Sequence, residues 1–292
     1  MELEELKKKN DAVILAHYYV KKEVQDIADF IGDSFFLAQK ATELKEKTIV
    51  MAGVFFMGES VKILNMDKTV LMPNLYADCP MAHMVTVKDI LDMRKKYDDL
   101  CVVTYINSTA EIKAYSDVCV TSSNAVKIVK KLTNKNIFFI PDKNLGAYIK
   151  KQVPDKNIIL NEGFCPVHEH INVDEVRMYK GKATILAHPE CRDEVLEIAD
   201  YIGSTKAMIK ESANYDNIIL ATESGIYTEL EKKYTDKKFY RLSENPTCVN
   251  MKKITVDGVK NVLENHVNEM RVVSSIREKA LVPLRRMLEL GA

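Results

Sequence analysis

Residues 12–19 read AVILAHYY, a short apolar run that ends in one histidine and two tyrosines. Runs of roughly four to eight apolar residues are typical of a buried strand in a parallel sheet. The same layout returns as CVVTYIN at residues 101–107 and as ATILAHPE at residues 183–190. His17, Tyr105 and His188 hold the same place in the three copies and lie 88 and 83 residues apart. The sequence therefore predicts a threefold internal repeat.

The rest of each copy follows the same order. An aspartate stands twelve residues after the polar position, at Asp29, Asp117 and Asp200. Two more apolar segments follow in each copy, at 48–52 and 69–72, at 137–140 and 157–160, and at 218–221 and 239–242. Amphipathic helical stretches lie between the strands, among them 24–30, 60–64 and 125–132. Common α/β patterning is the alternative explanation, but it does not account for the matched aspartate spacing.

Strands that alternate with helices predict parallel sheets covered by helices on both faces. We therefore predict an α/β fold of three pseudo-equivalent three-layer α/β/α domains, with small parallel sheets arranged around a pseudo-threefold axis. The predicted boundaries are residues 1–86, 87–172 and 173–255, followed by a helical C-terminal tail at residues 256–292. Ligands bind beyond the carboxyl ends of such strands, so the functional residues should follow the apolar runs.

One cysteine stands just past the last apolar segment of each copy. These are Cys79, Cys165 and Cys248, which lie 86 and 83 residues apart. Equivalent loops around a threefold axis can bring the three thiols to one point. Three thiolates suit an iron–sulfur cluster, and in a 4Fe-4S cluster they leave one iron open for Lewis-acid chemistry. Three ordinary buried thiols are the alternative, whereas a zinc knuckle is poorly supported because no C-x-x-C pair is present.

The remaining three cysteines have different surroundings in the sequence. Cys101 begins an apolar strand and Cys119 lies between two valines, so we expect both in the core. Cys191 follows Glu190 and is near enough in sequence to approach the site, but nothing in the pattern requires it as an iron ligand.

Composition and charge exclude several classes of protein. Lys and Arg total 42, as do Asp and Glu, so the formal net charge of zero gives no basic surface for nucleic acid. No apolar stretch approaches the ~18 residues of a membrane span. Residues 1–10 are too charged for a signal peptide. We expect a cytoplasmic protein without a membrane or nucleic-acid partner, in which the six cysteines stay reduced.

Long motifs spread over nearly the whole chain resemble those of the quinolinate synthase family. They are AHYY at 16–19, QDIAD at 25–29, GDS at 32–34, FMGESVKIL at 56–64, DCPMA at 78–82, YINS at 105–108, TSSNA at 121–125, PDKNLG at 141–146, CPVH at 165–168, HPEC at 188–191, GST at 203–205 and CVNMKK at 248–253. The resemblance implies condensation of iminoaspartate with dihydroxyacetone phosphate to quinolinate, with loss of phosphate and two waters, for NAD biosynthesis. It also implies a functional link to an enzyme that produces iminoaspartate.

The resemblance further implies a 4Fe-4S cluster at the junction of three similar α/β/α domains. The matching motifs imply Cys79, Cys165 and Cys248 as its ligands. One departure is visible, because many members carry a C-x-x-C-x-x-C run near the C-terminus and only Cys248 stands in that region here. The third ligand is therefore unambiguous, and a redox switch built on extra thiols is not expected.

Substrates that carry carboxylates and a phosphate need hydrogen-bond donors. Ser34, Ser122, Ser204 and Thr205 stand where an apolar segment ends and a helix is expected to begin. Hydroxyls and free backbone N–H groups at helix starts hold oxyanions. Helix capping is the alternative for each residue taken alone. Their recurrence in all three copies favours substrate binding.

The implied reaction also needs proton transfers from groups close to the substrate. The candidates are pairs of residues two apart, which point the same way from a strand. They are His17 with Tyr19 and His188 with Glu190. Tyr105 belongs to the same predicted catalytic set, and with Asn107 it is expected to position the substrate. His168, three residues after Cys165, is expected near the cluster and the substrate, and both strand-end histidines and Glu190 are expected to contact the substrate as well.

Two other functions remain open from the sequence. One is an iron–sulfur reductive dehydroxylase resembling the hydroxymethylbutenyl diphosphate reductases, which would need an electron donor and a diphosphate substrate. The other is a non-enzymatic iron–sulfur sensor or carrier, in which the histidine, tyrosine and glutamate positions would have no task.

Overall fold

The computed structural model describes residues 2–291, which form three consecutive α/β units and a helical tail. The first unit contains α1 (Leu3–Lys9), β1 (Ala12–His17), α2 (Lys22–Asp26), β2 (Phe30–Gly32), α3 (Ser34–Glu43), β3 (Thr48–Ala52), α4 (Phe55–Leu64), β4 (Thr69–Leu71) and a 3₁₀ turn at Pro80–His83. The second unit contains α5 (Val87–Lys96), β5 (Leu100–Tyr105), α6 (Ala110–Ala114), β6 (Val118–Val120), α7 (Ala125–Lys131), β7 (Asn136–Ile140), α8 (Lys143–Gln152), β8 (Asn157–Leu160) and α9 (Pro166–Glu169). The third unit contains α10 (Val173–Arg177), β9 (Thr184–Ala187), α11 (Asp193–Leu196), β10 (Tyr201–Ile202), α12 (Thr205–Glu211), a 3₁₀ turn at Ser212–Asn214, β11 (Asn217–Ala221), α13 (Ile226–Lys233), β12 (Lys238–Tyr240) and a 3₁₀ turn at Met251–Lys253. The tail contains α14 (Val256–Asn265) and α15 (Ser274–Gly291).

Each unit has one sheet of four parallel strands, and the three sheets share one topology. Their strand orders are β2-β1-β3-β4, β6-β5-β7-β8 and β10-β9-β11-β12. Both faces of the first sheet are covered, because successive residues of β1 enter different hydrophobic clusters. Val13 and Leu15 pack into the large central core, whereas Ile14 packs with Leu6 of α1 and Val259 of α14. The predicted α/β class with three small parallel sheets is confirmed.

The sequence predicted three strands for each unit, and the structure has four. The missed strands are the short edge strands β2, β6 and β10, of three, three and two residues. Strands this short carry too few residues for a periodic pattern to appear. The predicted helix at 24–30 was wrong at its end for the same reason, because α2 stops at Asp26 and β2 begins at Phe30.

The repeated aspartate has a structural role in each unit. Its carboxylate accepts a hydrogen bond from a main-chain N–H of the first strand, at 2.7–2.9 Å. Its own main-chain N–H donates to the carbonyl of that same strand residue. The pairs are Asp29 with Ile14, Asp117 with Val102 and Asp200 with Ile185. This two-bond clasp returns the chain to the strand it left and explains the constant spacing of twelve residues.

The C-terminal tail packs against the first two units. Helix α14 lies against α1 and the first sheet, and Met270 donates its main-chain N–H to the carbonyl of Val70 in β4. Helix α15 lies across α6, β6, α4 and α7, so it covers both units. None of the helices within residues 2–291 combines the length and apolar character that a membrane span requires.

Candidate active site

The carboxyl ends of the three first strands meet at one buried cavity, here named the inner cavity. His17 ends β1, Tyr105 ends β5 and His188 follows β9 directly, and all three side chains are buried. Its lining includes His17, Tyr19, Ser34, Cys79, Tyr105, Asn107, Ser122, Cys165, His168, His188, Glu190, Thr205 and Cys248. The structure therefore brings together every residue of the predicted site except Ser204 at one place.

The predicted hydroxyl donors differ in their surroundings. Ser204 is the N-cap of α12, where its Oγ accepts a hydrogen bond from the main-chain N–H of Ala207 at 3.3 Å, and it does not line the inner cavity. Helix α3 is capped instead by Asp33. Ser34, the first residue of that helix, is not used as the cap and lines the inner cavity. Capping thus explains Ser204, whereas the position of Ser34 favours contact with a ligand.

The two strand-end histidines are neutral and share one tautomer. Nδ1 of His17 accepts a hydrogen bond from the main-chain N–H of Tyr19 at 3.1 Å. Nδ1 of His188 accepts in the same way from Glu190 at 3.4 Å, and its Nε2 lies 3.2 Å from Ser122 Oγ. An accepting Nδ1 places the ring proton on Nε2. Because burial lowers the pKa of both imidazoles to about 3, they are uncharged donors at neutral pH.

Glu190 and His168 form a buried pair beside these histidines. His168 Nδ1 donates to Glu190 Oε2 at 2.7 Å, and its Nε2 accepts the hydroxyl of Thr222 at 2.9 Å. The His168 ring also stacks on His188 at a centroid distance of 4.6 Å. Burial acts to raise the pKa of Glu190, but the adjacent rings of His168 and His188 and the hydrogen bonds from His168 and Tyr105 outweigh it and hold that pKa below its ordinary value. Glu190 is therefore a carboxylate, and it also accepts the hydroxyl of Tyr105.

Two tyrosine hydroxyls complete the polar wall of the inner cavity. Burial raises the pKa of Tyr19 and of Tyr105 well above the ordinary value, so both stay protonated. Tyr19 Oη lies 2.7 Å from Thr205 Oγ1 and 3.2 Å from Thr222 Oγ1. The two phenols are therefore held in place as donors rather than as phenolates.

Two acceptor oxygens of this wall have no hydrogen-bond partner within residues 2–291. They are Oδ1 of Asn107 and Oε1 of Glu190. Leaving a buried acceptor unpaired costs roughly 1–3 kcal/mol. A ligand with N–H or O–H groups would satisfy both atoms, because both residues line the inner cavity.

The three predicted metal-binding cysteines also meet at this place. Cys79, Cys165 and Cys248 are half-buried free thiols that line the inner cavity. They also line a second cavity of about 360 Å³, here named the outer cavity, whose walls include Pro80 and residues 244–250. Burial and then the neighbouring Cys248 raise the pKa of Cys79 to about 12. The thiols are thus close neighbours that stand between the two cavities.

Two metal arrangements are compatible with these side chains. Ligand atoms of Cys165, His168 and Glu190 all lie within 4.8 Å of one another, a spacing that suits a single ion. This group leaves out Cys79 and Cys248, and its histidine Nδ1 is already bonded to the carboxylate, with Cys165 Sγ at 3.2 Å. Three thiols spread around a cavity suit a group with several metal atoms, and soft thiolate ligands favour iron–sulfur clusters.

A carboxylate accepts the main-chain N–H of two of these cysteines, and the sequence analysis missed these acids. Asp78 accepts from Cys79 at 2.8 Å and Glu223 from Cys248 at 3.0 Å. Asp142 and Glu223 hold equivalent places, two residues past β7 and β11. In the first unit this place is taken by Val54, and Asp78 supplies the carboxylate from beside its cysteine. A closer alignment of the three copies would have found the two equivalent acids.

Thr222 and Lys252 also belong to the site and were not predicted. Thr222 follows β11 directly, and its hydroxyl lies between His168 and Tyr19. Its place after a strand was the available signal. Lys252 Nζ lies 2.9 Å from Glu223 Oε1, in a segment without a counterpart in the other two copies, so the repeat gave no indication of it.

Comparisons of the sequence with known proteins agree on one family. The family model described as "Quinolinate synthetase A protein" matches residues 1–289. The chain is 56% identical over 293 residues to a quinolinate synthase of Fusobacterium nucleatum, covering 99% of this chain and 98% of the relative. It is 48% identical over 295 residues to a quinolinate synthase of Caldicellulosiruptor saccharolyticus, covering 99% and 97%. Among solved structures it is similar to the E-1-hydroxy-2-methyl-but-2-enyl-4-diphosphate reductase from Plasmodium falciparum, with 13% identity, coverage of 90% and 93%, and a TM-score of 0.35, which is too low to inform function.

Proposed function

The chain belongs to the quinolinate synthetase A family, and on that premise we propose that it condenses iminoaspartate with dihydroxyacetone phosphate, with loss of phosphate and two waters. It is an enzyme of quinolinate synthesis in NAD biosynthesis. Within enzyme classification, the proposed reaction is that of a transferase. The observation that supports the proposal most directly is the buried inner cavity, where neutral donors and unpaired acceptors surround three thiols.

The proposed cofactor is a 4Fe-4S cluster held by Cys79, Cys165 and Cys248. Its support is the donor set, because these three thiols border both cavities, and carboxylates hold the main-chain N–H groups of Cys79 and Cys248. When bound, the cluster would supply an open iron that acts as a Lewis acid toward an oxygen or nitrogen of the substrate.

The chain's own residues can bind the anionic groups of the substrates without a large cationic patch. The Nε2–H groups of His17 and His188 and the hydroxyls of Ser34 and Ser122 are neutral donors at the inner cavity. Carboxylate and phosphate oxygens accept such bonds strongly, since hydrogen bonds to a charged group contribute about 1.5–3 kcal/mol. Asn107 Oδ1 would accept a hydrogen bond from a substrate N–H or O–H group and would thereby gain the partner that it lacks within residues 2–291.

Proton transfer is assigned to Glu190 and Tyr105. Glu190 is ionised because His168 lies against it, so its unpaired Oε1 can take a proton from substrate. Tyr105 is protonated and bonded to this carboxylate, so it can pass its proton to an oxygen that leaves while Glu190 returns to it the proton taken from substrate. Tyr19 keeps its proton and can orient a substrate oxygen, with its hydroxyl held by Thr205.

We place the reaction in the cytoplasm, because the three ligand thiols must stay reduced to bind iron. The reaction consumes iminoaspartate, so a functional link to an enzyme that produces it is part of the proposal. No membrane or nucleic-acid partner is proposed, in agreement with the zero formal net charge of the chain.

The test is an anaerobic assay of the purified protein after cluster reconstitution. We expect quinolinate from iminoaspartate and dihydroxyacetone phosphate without an added electron donor, measured by chromatography. A reductive dehydroxylase would instead require a reductant and a diphosphate substrate, and a sensor would turn over neither set. Absence of quinolinate from a protein with an intact cluster would refute the proposed reaction.

Serine variants test the ligands separately. Cys79→Ser, Cys165→Ser and Cys248→Ser should each lose the cluster absorbance and the activity. Cys101→Ser is the matched control, because Cys101 is buried within β5 and should leave the iron content unchanged. If the metal were a single ion on Cys165, His168 and Glu190, Cys79→Ser would keep its metal, and metal analysis would count one atom per chain instead of four irons.

A further inference from the structure

The loop that carries Cys248 is built differently from the loops of the other two cysteines. Cys79 is followed at once by the 3₁₀ turn Pro80–His83, and Cys165 by the helix α9. Cys248 stands near the end of residues 241–250, which contain neither helix nor strand and are here named the Cys248 loop. Val249 within it is 70% exposed. This third thiol therefore depends on specific contacts to stay at the axis.

Glu223 provides the main contact between the Cys248 loop and the third sheet. Its side chain is fully buried, and Oε1 accepts the main-chain N–H of Cys248 at 3.0 Å. Oε2 accepts the main-chain N–H of Gly225 at 2.6 Å. Ser224 adds a main-chain hydrogen bond to the carbonyl of Pro246 at 2.8 Å. The segment directly after β11 thus holds the loop through one buried carboxylate and one main-chain bond.

Lys252 neutralises this carboxylate and joins it to the first unit. Its Nζ lies 2.9 Å from Glu223 Oε1 and donates to the carbonyl of Tyr19 at 2.6 Å. Its main-chain N–H donates to the carbonyl of Cys248 at 3.1 Å. One lysine therefore contacts the buried acid, the cysteine residue and the backbone of an active-site tyrosine.

We propose that Lys252 is a positioning residue that closes the Cys248 loop: paired with Glu223 and the Tyr19 carbonyl, it holds the third thiol at the axis. The expected effect of Lys252 on iron binding rests on the proposed function, in which Cys248 is a cluster ligand. A buried ion pair loses most when one partner is removed, because the other charge is left without compensation. Loss of the Lys252 cation therefore leaves the buried Glu223 side chain without compensation, which weakens its hydrogen bond to Cys248 and loosens the Cys248 loop.

The first experiment uses the metal-free protein under reducing conditions. Lys252→Met keeps the length of the side chain and removes the charge, and Lys253→Met is the matched control, because Lys253 Nζ donates to the carbonyl of Tyr76 instead. Alkylation by N-ethylmaleimide is followed at each cysteine by peptide mass mapping. We expect Cys248 to react about tenfold faster in Lys252→Met, the factor that loss of one hydrogen bond to a charged group brings. Cys165 should react at the same rate in all three proteins.

The second experiment measures iron release from the reconstituted protein to a chelator. Lys252→Met should release iron about tenfold faster than the parent and Lys253→Met, and Lys252→Arg should restore slow release because it returns the cation. The double variant Glu223→Gln/Lys252→Met should release iron more slowly than Lys252→Met alone, because no unpaired charge remains. If the two substitutions only damaged the fold, their effects on the rate of iron release would add in the double variant.

The outcomes separate this inference from the proposed cofactor. Unchanged alkylation of Cys248 in a folded Lys252→Met protein overturns the positioning role. If Lys252→Met does not fold, Lys252→Gln and Lys252→Arg carry the same comparison, with circular dichroism as the folding check. Faster alkylation of Cys248 in a protein that binds no iron would uphold the role of Lys252 and refute the cluster.

Discussion

Removal of one hydroxyl, in Thr222→Val, tests the hydrogen-bond chain behind the active site. Thr222 is fully buried, and its Oγ1 bonds to His168 Nε2 at 2.9 Å and to Tyr19 Oη at 3.2 Å. Valine has nearly the shape of threonine, so the packing is kept while both hydrogen bonds are lost. Tyr19 retains its bond to Thr205 at 2.7 Å, but Nε2 of His168 is left unpaired.

The expected cost follows from these contacts. A buried nitrogen without a partner costs roughly 1–3 kcal/mol, and no second partner for His168 Nε2 is present within residues 2–291 to reduce that cost. The His168 ring then loses the hydrogen bond that fixes its orientation. Glu190 is affected as well, because its carboxylate is held by Nδ1 of the same ring. If half of the cost reaches the transition state, the barrier rises by about 0.5–1.5 kcal/mol and kcat falls roughly two- to tenfold, because each 1.36 kcal/mol corresponds to a factor of ten.

The assay compares Thr222→Val with Thr222→Ser, which removes the methyl group and keeps the hydroxyl. Urea unfolding of the metal-free proteins gives the free energy of unfolding, and steady-state assays of the reconstituted proteins give kcat and KM. We expect Thr222→Val to lose both stability and kcat, and Thr222→Ser to keep most of its kcat. An unaltered kcat in the valine variant, or an equal loss in the serine variant, would show that the hydroxyl does not act through His168.

Two further changes probe the packing and the acid stability of the same region. Gly225→Ala should lower the free energy of unfolding by about 1–3 kcal/mol, because the added Cβ would lie 2.6 Å from the carbonyl oxygen of Tyr18. An unchanged urea midpoint would contradict that close contact. Burial lowers the pKa of His17 and His188 from 6.5 to about 3, so below pH 6.5 the unfolded chain binds more protons and the folded protein loses stability as the pH falls toward 3. His17→Gln should therefore flatten the fall of the urea midpoint between pH 6.5 and 5, and an identical slope in parent and variant would exclude this contribution.

The architecture could be predicted from the sequence because the repeat marks the three central strands strongly. The predicted strands at 48–52 and 157–160 agree with β3 and β8, since buried runs of four or five apolar or β-branched residues are unambiguous beside helical stretches. Cys101 and Cys119 are buried in β5 and β6, as expected from their apolar neighbours. The edge strands were missed because two or three residues carry no period.

The site was predictable where it repeats and unpredictable where it does not. His17, Tyr105 and His188 stand at equivalent strand ends, so their convergence follows from the topology of parallel sheets. Whether a serine caps a helix or lines a cavity depends on its neighbour, as Asp33 and Ser34 show, and local sequence alone does not decide it. Lys252 acts through partners far away in sequence, Tyr19 and Glu223, which no local pattern connects.

The aspartate clasp fixes the number of residues between the first strand of each unit and its aspartate, whereas it leaves the identity of most of those residues open. Helix α2 is mostly polar and part-exposed, so many substitutions within it should be tolerated, whereas one inserted residue would carry Asp29 out of reach of Ile14. An inserted residue would likewise carry Asp117 away from Val102 and Asp200 away from Ile185. Homologous chains should therefore vary at the exposed positions of these three segments, outside the active-site motifs, and hardly at all in the number of residues between strand and aspartate.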